Sequence, residues 1–418
     1  MKKYITRNVE KVVKNLSRQF PVVMVTGPRQ VGKTTMLRHI NKEINYVTLD
    51  DLNVRNLAVN DPELFLETYE PPLIIDEFQY APNLLSYIKI KVDEMRIDKT
   101  FNDTKSFDAL YYLTGSQSFV SMKNVSESLA GRVGIIEMNG FSTSELQGID
   151  KMPFVPNILQ LKNNLNNKME TNKLFDRIFK GSYPELYVNE NISVETFYNS
   201  YVKTYIERDI RDLINISDEI KFMKFMTSVA ARTGEELNIT TVANDAEISV
   251  PTANSWLSIL VNTGLVVLLE PFSNNVIKRT IKRPKIYFMD TGLACYLAKY
   301  PSSDILEVSS YSGHIFETYV VSEIIKSYAN NGKDYKKYLF YYRDEKKREI
   351  DLIIDYENIL YPVEIKKGKH PNGECVKNFS VLNKLNNEIA QGIVLCMIDQ
   401  IFPIDRNNYY VPISYIWY

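Results

Sequence analysis

Apolar residues fall in short blocks along this chain, and the spacing of those blocks changes from one region to the next. Near the start, residues 21–26, 72–76 and 109–114 are runs of mainly Val, Ile, Leu and Tyr that are too short for helices. They read as buried strands of a parallel sheet. Residues 35–40 follow the first run as the start of a helix. From 150 to 180 the chain is polar and rich in Asn and Lys, with spaced Ile, Leu and Phe, which predicts a loop and then helices. Gly181 to Pro184 break that pattern, and residues 192–234 continue as further helices. Residues 237–243 and 249–260 read as two short helices, 262–264 as a turn, and 265–270 with 285–289 as a strand pair. Helix, turn, helix, then hairpin is the winged-helix order. A helix over 313–328 follows, with Ile315, Tyr319 and Ile324 as its buried stripe. Strands over 339–342, 349–355 and 360–366 come next, and Pro362 suits a strand start. The fold class is α/β. The predicted division is a core over 1–150, a helical subdomain over 151–235, a winged-helix domain over 236–300 and an α/β domain over 301–418.

The first strand runs directly into Gly27-Pro28-Arg29-Gln30-Val31-Gly32-Lys33-Thr34-Thr35 and then a helix. Strand, glycine-rich loop and helix is the setting that a phosphate-binding loop requires. Gly27 and Gly32 allow a tight turn whose N–H groups face phosphate, Lys33 reaches the β/γ-phosphates, and Thr34 is a Mg²⁺ ligand. The helix N-terminus favours the anion further. The second run ends in Asp76-Glu77. Parallel strands present their C-terminal ends at the ligand crevice, so Asp76 is placed to hold Mg²⁺ through water and Glu77 to polarise the attacking water. The third run ends in Thr114-Gly115-Ser116-Gln117. A polar side chain there can contact the γ-phosphate; Ser116 is the first candidate, Gln117 the second, and Thr114 remains open. Arg132 is the candidate for stabilising transferred phosphoryl charge, from its own chain or a neighbour's, with Arg208 and Arg211 as rivals.

Near the C-terminus alternation puts Glu364 and Lys366 on one strand face, and Asp351 can meet them from the adjacent antiparallel strand. Glu317 can add a carboxylate from the packed helix. Such a set could hold divalent ions and activate water for phosphodiester cleavage; a solvated salt-bridge set is the alternative. Glu323 and Lys367 read as surface residues. On the expected second helix of the winged-helix region, Thr252, Asn254, Ser255 and Ser258 are hydrogen-bonding candidates for a DNA groove. Residues 278–285 carry five positive charges, Lys278, Arg279, Lys282, Arg283 and Lys285, which could form a basic wing.

Composition narrows these readings. The 418 residues are 44% hydrophobic and 24% charged, with 50 Lys and Arg against 51 Asp and Glu, so nucleic acid would be met through local patches only. No run of about eighteen apolar residues and no secretory h-region is read, so no membrane span is expected. Cys295, Cys375 and Cys396 share no ligand spacing, which fits a reduced, cytoplasmic setting. His39, His314 and His370 form no metal pair.

Taken together, Thr26 to Thr34, Leu73 to Gln79, Leu113 to Ser116, Ser128 to Arg132, Gly181 to Glu185, Tyr201 to Asp212, Phe288 to Leu293, Phe316-Glu317 and Glu349 to Leu352 resemble a prokaryotic family of AAA+ type P-loop ATPases with a C-terminal domain called DUF4143. The resemblance spans nearly the whole chain and extends to Gln79-Tyr-Ala-Pro82. It implies ATP and Mg²⁺ as cofactors, a helical subdomain contributing to the nucleotide cleft, and rings as one candidate assembly beside a monomer or dimer. Residues 97–108 stand out as a polar, insertion-like segment. The C-terminal part is similar to the PD-(D/E)xK nuclease fold, which implies Asp351 and Glu364 as metal ligands, Lys366 as the water-orienting cation and Glu317 as the helical acid. The leading expectation is an ATPase whose C-terminal half binds or processes DNA. The alternative is a regulatory ATPase whose winged-helix and inactive nuclease-like domains bind protein partners. A non-hydrolysing scaffold is disfavoured by Asp76 and Glu77.

Overall fold

A computed structural model describes residues 4–102, 109–115, 128–163, 171–204, 219–273, 283–369 and 371–418. The helices are α1 (Glu10–Ser17), α2 (Lys33–Ile40), α3 (Leu52–Asn60), α4 (Pro62–Thr68), α5 (Leu84–Asn102), α6 (Thr143–Leu146), α7 (Ile158–Asn163), α8 (Thr171–Lys180), α9 (Glu185–Val188), α10 (Val194–Tyr201), α11 (Glu219–Ala231), α12 (Ile239–Asp245), α13 (Val250–Asn262), α14 (Thr291–Leu297), α15 (Ser303–Val308) and α16 (Ser312–Ala329).

The front sheet contains β1 (Val22–Thr26), β2 (Asn45–Thr48), β3 (Leu73–Asp76), β4 (Tyr111–Thr114) and β5 (Val133–Glu137), in the order β2-β3-β4-β1-β5, all parallel. Strands β1, β3 and β4 are buried along their whole length, as their uninterrupted apolar character requires. Because β4 lies between β1 and β3, its C-terminal end reaches the same edge as the glycine-rich loop and Asp76. Helix α5 runs through 97–102, so the first part of the polar, insertion-like segment is helical; a polar stretch can extend a helix whose buried side is set by earlier residues such as Ile88 and Val92.

In the middle of the chain, α8 stops at Gly181, whose φ of +78° is left-handed. Helices α12 and α13 lead into the antiparallel hairpin β6 (Val266–Leu269) and β7 (Lys285–Phe288). Segment 270–272 then continues beside β8 (Leu339–Arg343): Phe272 N–H donates to the Tyr341 carbonyl at 2.6 Å, and Tyr341 N–H donates to that of Glu270 at 3.1 Å.

The C-terminal sheet adds β9 (Glu349–Tyr356), β10 (Ile359–Ile365), β11 (Glu388–Ile389), β12 (Gly392–Cys396), β13 (Phe402–Pro403) and β14 (Asn408–Pro412). Its main path is β13-β14-β12-β10-β9-β8, with β11 also on β10. Pro362 lies inside β10 rather than at its start. Its missing N–H falls in the gap between the pairings of β10 with β11 at 359–360 and with β12 at 363–365. Ile315, Tyr319 and Ile324 of α16 are buried as expected. One apolar cluster runs from Val9 and Val25 through Phe225, Leu260 and Ile324 to Trp417, so the four predicted regions share a continuous core.

Candidate functional site

The glycine-rich loop is shaped by two close constraints. Gly27 has φ +137°, and a Cβ there would lie 2.1 Å from the Met138 carbonyl oxygen at the end of β5. Gly32 takes φ +90° as the N-cap of α2, which turns the chain into the helix. Lys33 is buried and donates to the carbonyls of Gly27 and Pro28 at 2.9 and 2.8 Å. Burial lowers its pKa to about 8, against the opposing pull of Glu77 and Asp76 and with a further push down from Arg29.

Asp76 is the hub at the sheet edge. Its Oδ1 accepts from Thr34 Oγ1 at 2.9 Å and from Thr114 Oγ1, and its Oδ2 accepts from Tyr46 at 3.1 Å. Glu77 follows with φ +55°, an uncommon conformation for a side chain of its size. It caps a 3-10 turn over Phe78–Tyr80, and the Gln79 amide donates to its carboxylate. The left-handed turn therefore points the acid away from the strand direction and leaves it half-buried. A cavity of about 610 Å³ opens beside Gly32 and Thr35, with Tyr4, Arg7, Pro184 and Tyr201 in its wall. Two of these residues come from the helical region after 150.

Among the remaining expected residues, Ser116, Gln117, Arg208, Arg211 and His370 lie outside the described residues. Arg132 is not brought to the loop. Its carbonyl accepts from Val22 N–H at the opposite end of β1, about 16 Å of strand away. Its guanidinium pairs with Asp93 at 2.6 and 2.9 Å.

The C-terminal carboxylates do converge. Lys366 Nζ lies 2.6 Å from Glu364 and 3.2 Å from Asp351, and Asp351 Oδ2 also accepts the Ile365 N–H at 2.8 Å. Burial, with Asp351 alongside, pushes the Glu364 carboxyl up to about 8, and Lys366 opposes that rise. Glu317 does not reach this group directly. Its Oε1 accepts from Lys285 Nζ at 3.0 Å and from Tyr287 at 2.7 Å. Lys285 also lies 2.6 Å from Glu349 and 3.9 Å from Asp351. The fit to a metal is therefore poor: an ammonium group stands among the oxygens. Among the described residues, no group of three or more His, Cys, Asp or Glu could hold a metal ion.

Family models match three segments of the chain. A family model for an AAA domain matches residues 19–147, a domain of unknown function, DUF8612, matches 171–304, and DUF4143, also a domain of unknown function, matches 312–416. An uncharacterized protein of Mycobacterium tuberculosis is 27% identical over 353 residues, covering 84% of this chain and 71% of that protein. The glutamine transport ATP-binding protein GlnQ of Escherichia coli is 35% identical over 81 residues, 19% of this chain and 33% of its own. The chain carries an AAA+-type ATP-binding module and a C-terminal DUF4143 domain. The Walker-type ATPase of Pyrococcus abyssi aligns with a TM-score of 0.41 at 12% identity, over 69% of this chain and 94% of that one. The ORC2 protein of Aeropyrum pernix aligns at 0.31 and 15%, over 66% and 87%. Both scores are too low to support an argument. Among the described residues no helix is long and apolar enough to cross a membrane.

Several charged residues stand elsewhere than the sequence suggested. Lys285, expected on an exposed basic wing, is 3% exposed. Glu323, expected on the surface, is also 3% exposed; it accepts the Thr143 N–H at 2.7 Å and pairs with Lys326 at 3.1 Å. The signal was present in both cases. Lys285 opens a wholly apolar run, and Glu323 interrupts a helix rich in Ile, Val, Phe and Tyr. Lys367 is half-buried, bonded to the Glu307 carbonyl and to Ser312 Oγ, with its ammonium over the Phe175 ring. Tyr46 went unnoticed because its strand is short and mostly exposed. Arg7, which donates to the Val31 carbonyl of the loop at 2.9 Å, gave no signal either. Its partner Glu145 did, as the last residue of the capping box beginning at Ser142.

Proposed function

We propose that the module binds and hydrolyses ATP with Mg²⁺ at the edge formed by the loop, Asp76 and Glu77. The observation that carries this reading is the convergence of Lys33, Thr34, Asp76, Thr114 and Glu77 from three separate segments. Lys33 turns from the loop carbonyls to the β/γ-phosphates. Thr34 Oγ1 and Asp76 Oδ1 are hard oxygen donors 2.9 Å apart, which suits Mg²⁺. The ion, when bound, neutralises developing phosphate charge. Tyr46 and Thr114 fix the Asp76 carboxylate, and Gln79 holds Glu77, whose carboxylate orients water and accepts its proton. The base fits the cavity beside Thr35, between the first residues of the chain and α10. Residues 27–35 of the loop, Gly27 to Thr35, line the phosphates.

For the other half we propose a nucleic-acid-binding arm rather than a cutting one. Helices α12 and α13 with the β6–β7 hairpin follow the winged-helix order, and Asn254, Ser255 and Ser258 are exposed on α13 with Thr252 half-buried beside them. Asp351, Glu364 and Lys366 meet as in a PD-(D/E)xK nuclease-like domain, which supports that reading of the fold. Lys285 among the acids favours the second reading, a regulatory ATPase whose C-terminal domain engages a protein partner. ATP turnover in Mg²⁺, with and without DNA, separates them, with strand cleavage followed in parallel. DNA-stimulated turnover without cleavage is expected. Turnover indifferent to DNA would transfer the case to the protein-partner reading. Glu77→Gln should lower turnover at least a hundredfold while ATP still binds; unchanged turnover in that variant would refute Glu77 as the base.

A further inference from the structure

The helical region gives the nucleotide cavity a wall made of two short pieces, α9 and α10, which supply Glu185, Val188, Phe197 and Tyr201. The first has four residues and the second eight, and helices of that length do not hold themselves in water. Both are tied to one buried carboxylate behind the wall. Asp290 Oδ2 accepts the Ser182 N–H at 2.6 Å and the Ser182 hydroxyl at 2.7 Å. Its Oδ1 accepts the Tyr198 hydroxyl and the Leu293 N–H, each at 2.7 Å. Asp290 is the N-cap of α14, and capping needs only the Leu293 bond. The other bonds reach out of its own element, to the turn before α9 and to the middle of α10. Ser182 passes the constraint on, because its carbonyl accepts the Phe141 N–H at 2.7 Å and Phe141 lines the same cavity from the ATP-binding module. The space around the carboxylate is reserved for these contacts. A Cβ on Gly181 would collide with the Tyr198 hydroxyl and with both Asp290 oxygens, and one on Gly292 with the same hydroxyl.

We propose that Asp290 is a positioning residue for nucleotide binding: it holds α9 and α10 at the spacing that admits the base, and it touches no nucleotide itself. The inference rests on the assignment of this cavity to the base of ATP. A carboxylate suits the place because it accepts from Ser182, Tyr198 and Leu293 at once. An amide would set its NH₂ group against the Ser182 N–H or the Leu293 N–H, whichever way it turned, and a backbone N–H cannot turn to accept. Loss of the Ser182 and Tyr198 bonds releases α9 and α10 together. The phosphate loop is held separately, by β1, by α2 and by the close approach of Gly27 to the Met138 carbonyl. The effect is therefore confined to the nucleoside part of the ligand.

The test compares ADP with pyrophosphate, its phosphate part without the nucleoside. Calorimetric titration of the full chain gives the ADP affinity, and displacement of ADP gives that of pyrophosphate. Asp290→Asn should weaken ADP binding about tenfold and leave pyrophosphate within about twofold, the loss expected for one charge-assisted hydrogen bond felt only at the nucleoside. Tyr198→Phe keeps the ring and removes one bond to the carboxylate, so it should weaken ADP about threefold with pyrophosphate again unmoved. A loosened fold would weaken both ligands in step. That result, or unchanged ADP binding by a folded Asp290→Asn chain, would overturn the role of Asp290. If Asp290→Asn does not fold, Tyr198→Phe decides by the same two criteria. A wild-type chain that binds pyrophosphate as tightly as ADP would overturn the base cavity and this inference with it, and one that binds neither would overturn the ATP-binding reading. Failure of Asp290 alone is distinct from both, because it requires a wild type that prefers ADP.

Discussion

Glu145 offers the sharpest test of how the first residues of the chain hold the phosphate loop. Its carboxylate is buried and accepts from Arg7 Nε at 3.0 Å, Asn8 N–H at 2.9 Å and Ser142 N–H at 2.8 Å. Arg7 in turn donates to the Val31 and Asn139 carbonyls at 2.9 and 2.7 Å. Replacing Glu145 with Ala leaves a buried guanidinium without its counter-charge, which costs about 3–5 kcal/mol. It also removes one half of the capping box of α6, worth about 1 kcal/mol. The expected loss is therefore about 4–6 kcal/mol, read from urea midpoints at constant m-value. Arg7→Met should cost a comparable amount, because Glu145 is then the uncompensated charge. The Arg7→Met, Glu145→Leu pair removes both charges, so its cost should fall below the sum of the singles by about 3 kcal/mol. The carbonyls of Val31 and Asn139 still lose their donor, so the double variant does not return to wild type. Singles costing less than about 1 kcal/mol, or a double equal to their sum, would refute the buried-pair account.

Two further outcomes follow from the ATP-binding module. The Lys33 pKa is lowered from the ordinary lysine value to about 8, so between that pH and the ordinary value the folded chain binds fewer protons than the unfolded one. This group alone then makes the chain more stable as pH rises through that window, and the gain is lost as pH falls through about 8. Nucleotide affinity should move the other way, weakening above about pH 8 because the neutral amine must regain its proton to meet phosphate; affinity flat from pH 7 to 10 would refute the role given to Lys33, a range set by the ordinary lysine pKa of about 10.4. Tyr46→Phe removes one of the hydrogen bonds on Asp76, worth about 1 kcal/mol. Half-saturation of turnover by Mg²⁺ should shift roughly fivefold upward with nucleotide affinity unchanged, and no shift in Mg²⁺ dependence would show that Thr34 and Thr114 alone fix the carboxylate.

The phosphate loop and the strand ends around it were legible because they are local. A strand, a glycine turn and a helix are specified by consecutive residues, and Asp76 ends an apolar run that announces itself. The meeting of Asp351, Glu364 and Lys366 was legible for a similar reason: alternation along β10 and one antiparallel neighbour fix it. The position of Lys285 was not. A run of positive charges reads as a solvated loop unless one knows which strand it enters, and β7 enters a tertiary pocket made by α16 and β9. The place of Arg132 in its own chain was hidden in the same way. A loop-and-arginine pattern suggests contact with phosphate, but strand β5 runs parallel to β1, so a residue before β5 must stand at the end of the sheet away from the loop.

Helix α16 ties these far-apart features together. Near its start Glu317 shares Lys285 with the hairpin; about half a turn and nearly two turns later, Tyr319 and Glu323 meet Thr143 at 2.6 and 2.7 Å. Thr143 and Glu145 belong to the same short helix, and Glu145 holds Arg7 against the phosphate loop. The links through Tyr319, Glu323 and Arg7 are buried polar contacts, and the one through Lys285 is partly buried. A buried apolar contact can slide by a fraction of an ångström at little cost, whereas a buried charge that parts from a partner loses part of its compensation. A shift of the helix against α6 therefore strains both contacts with Thr143. Helix α16 thereby links the loop side to the carboxylate cluster through polar contacts, although sequence composition divides them into separate regions.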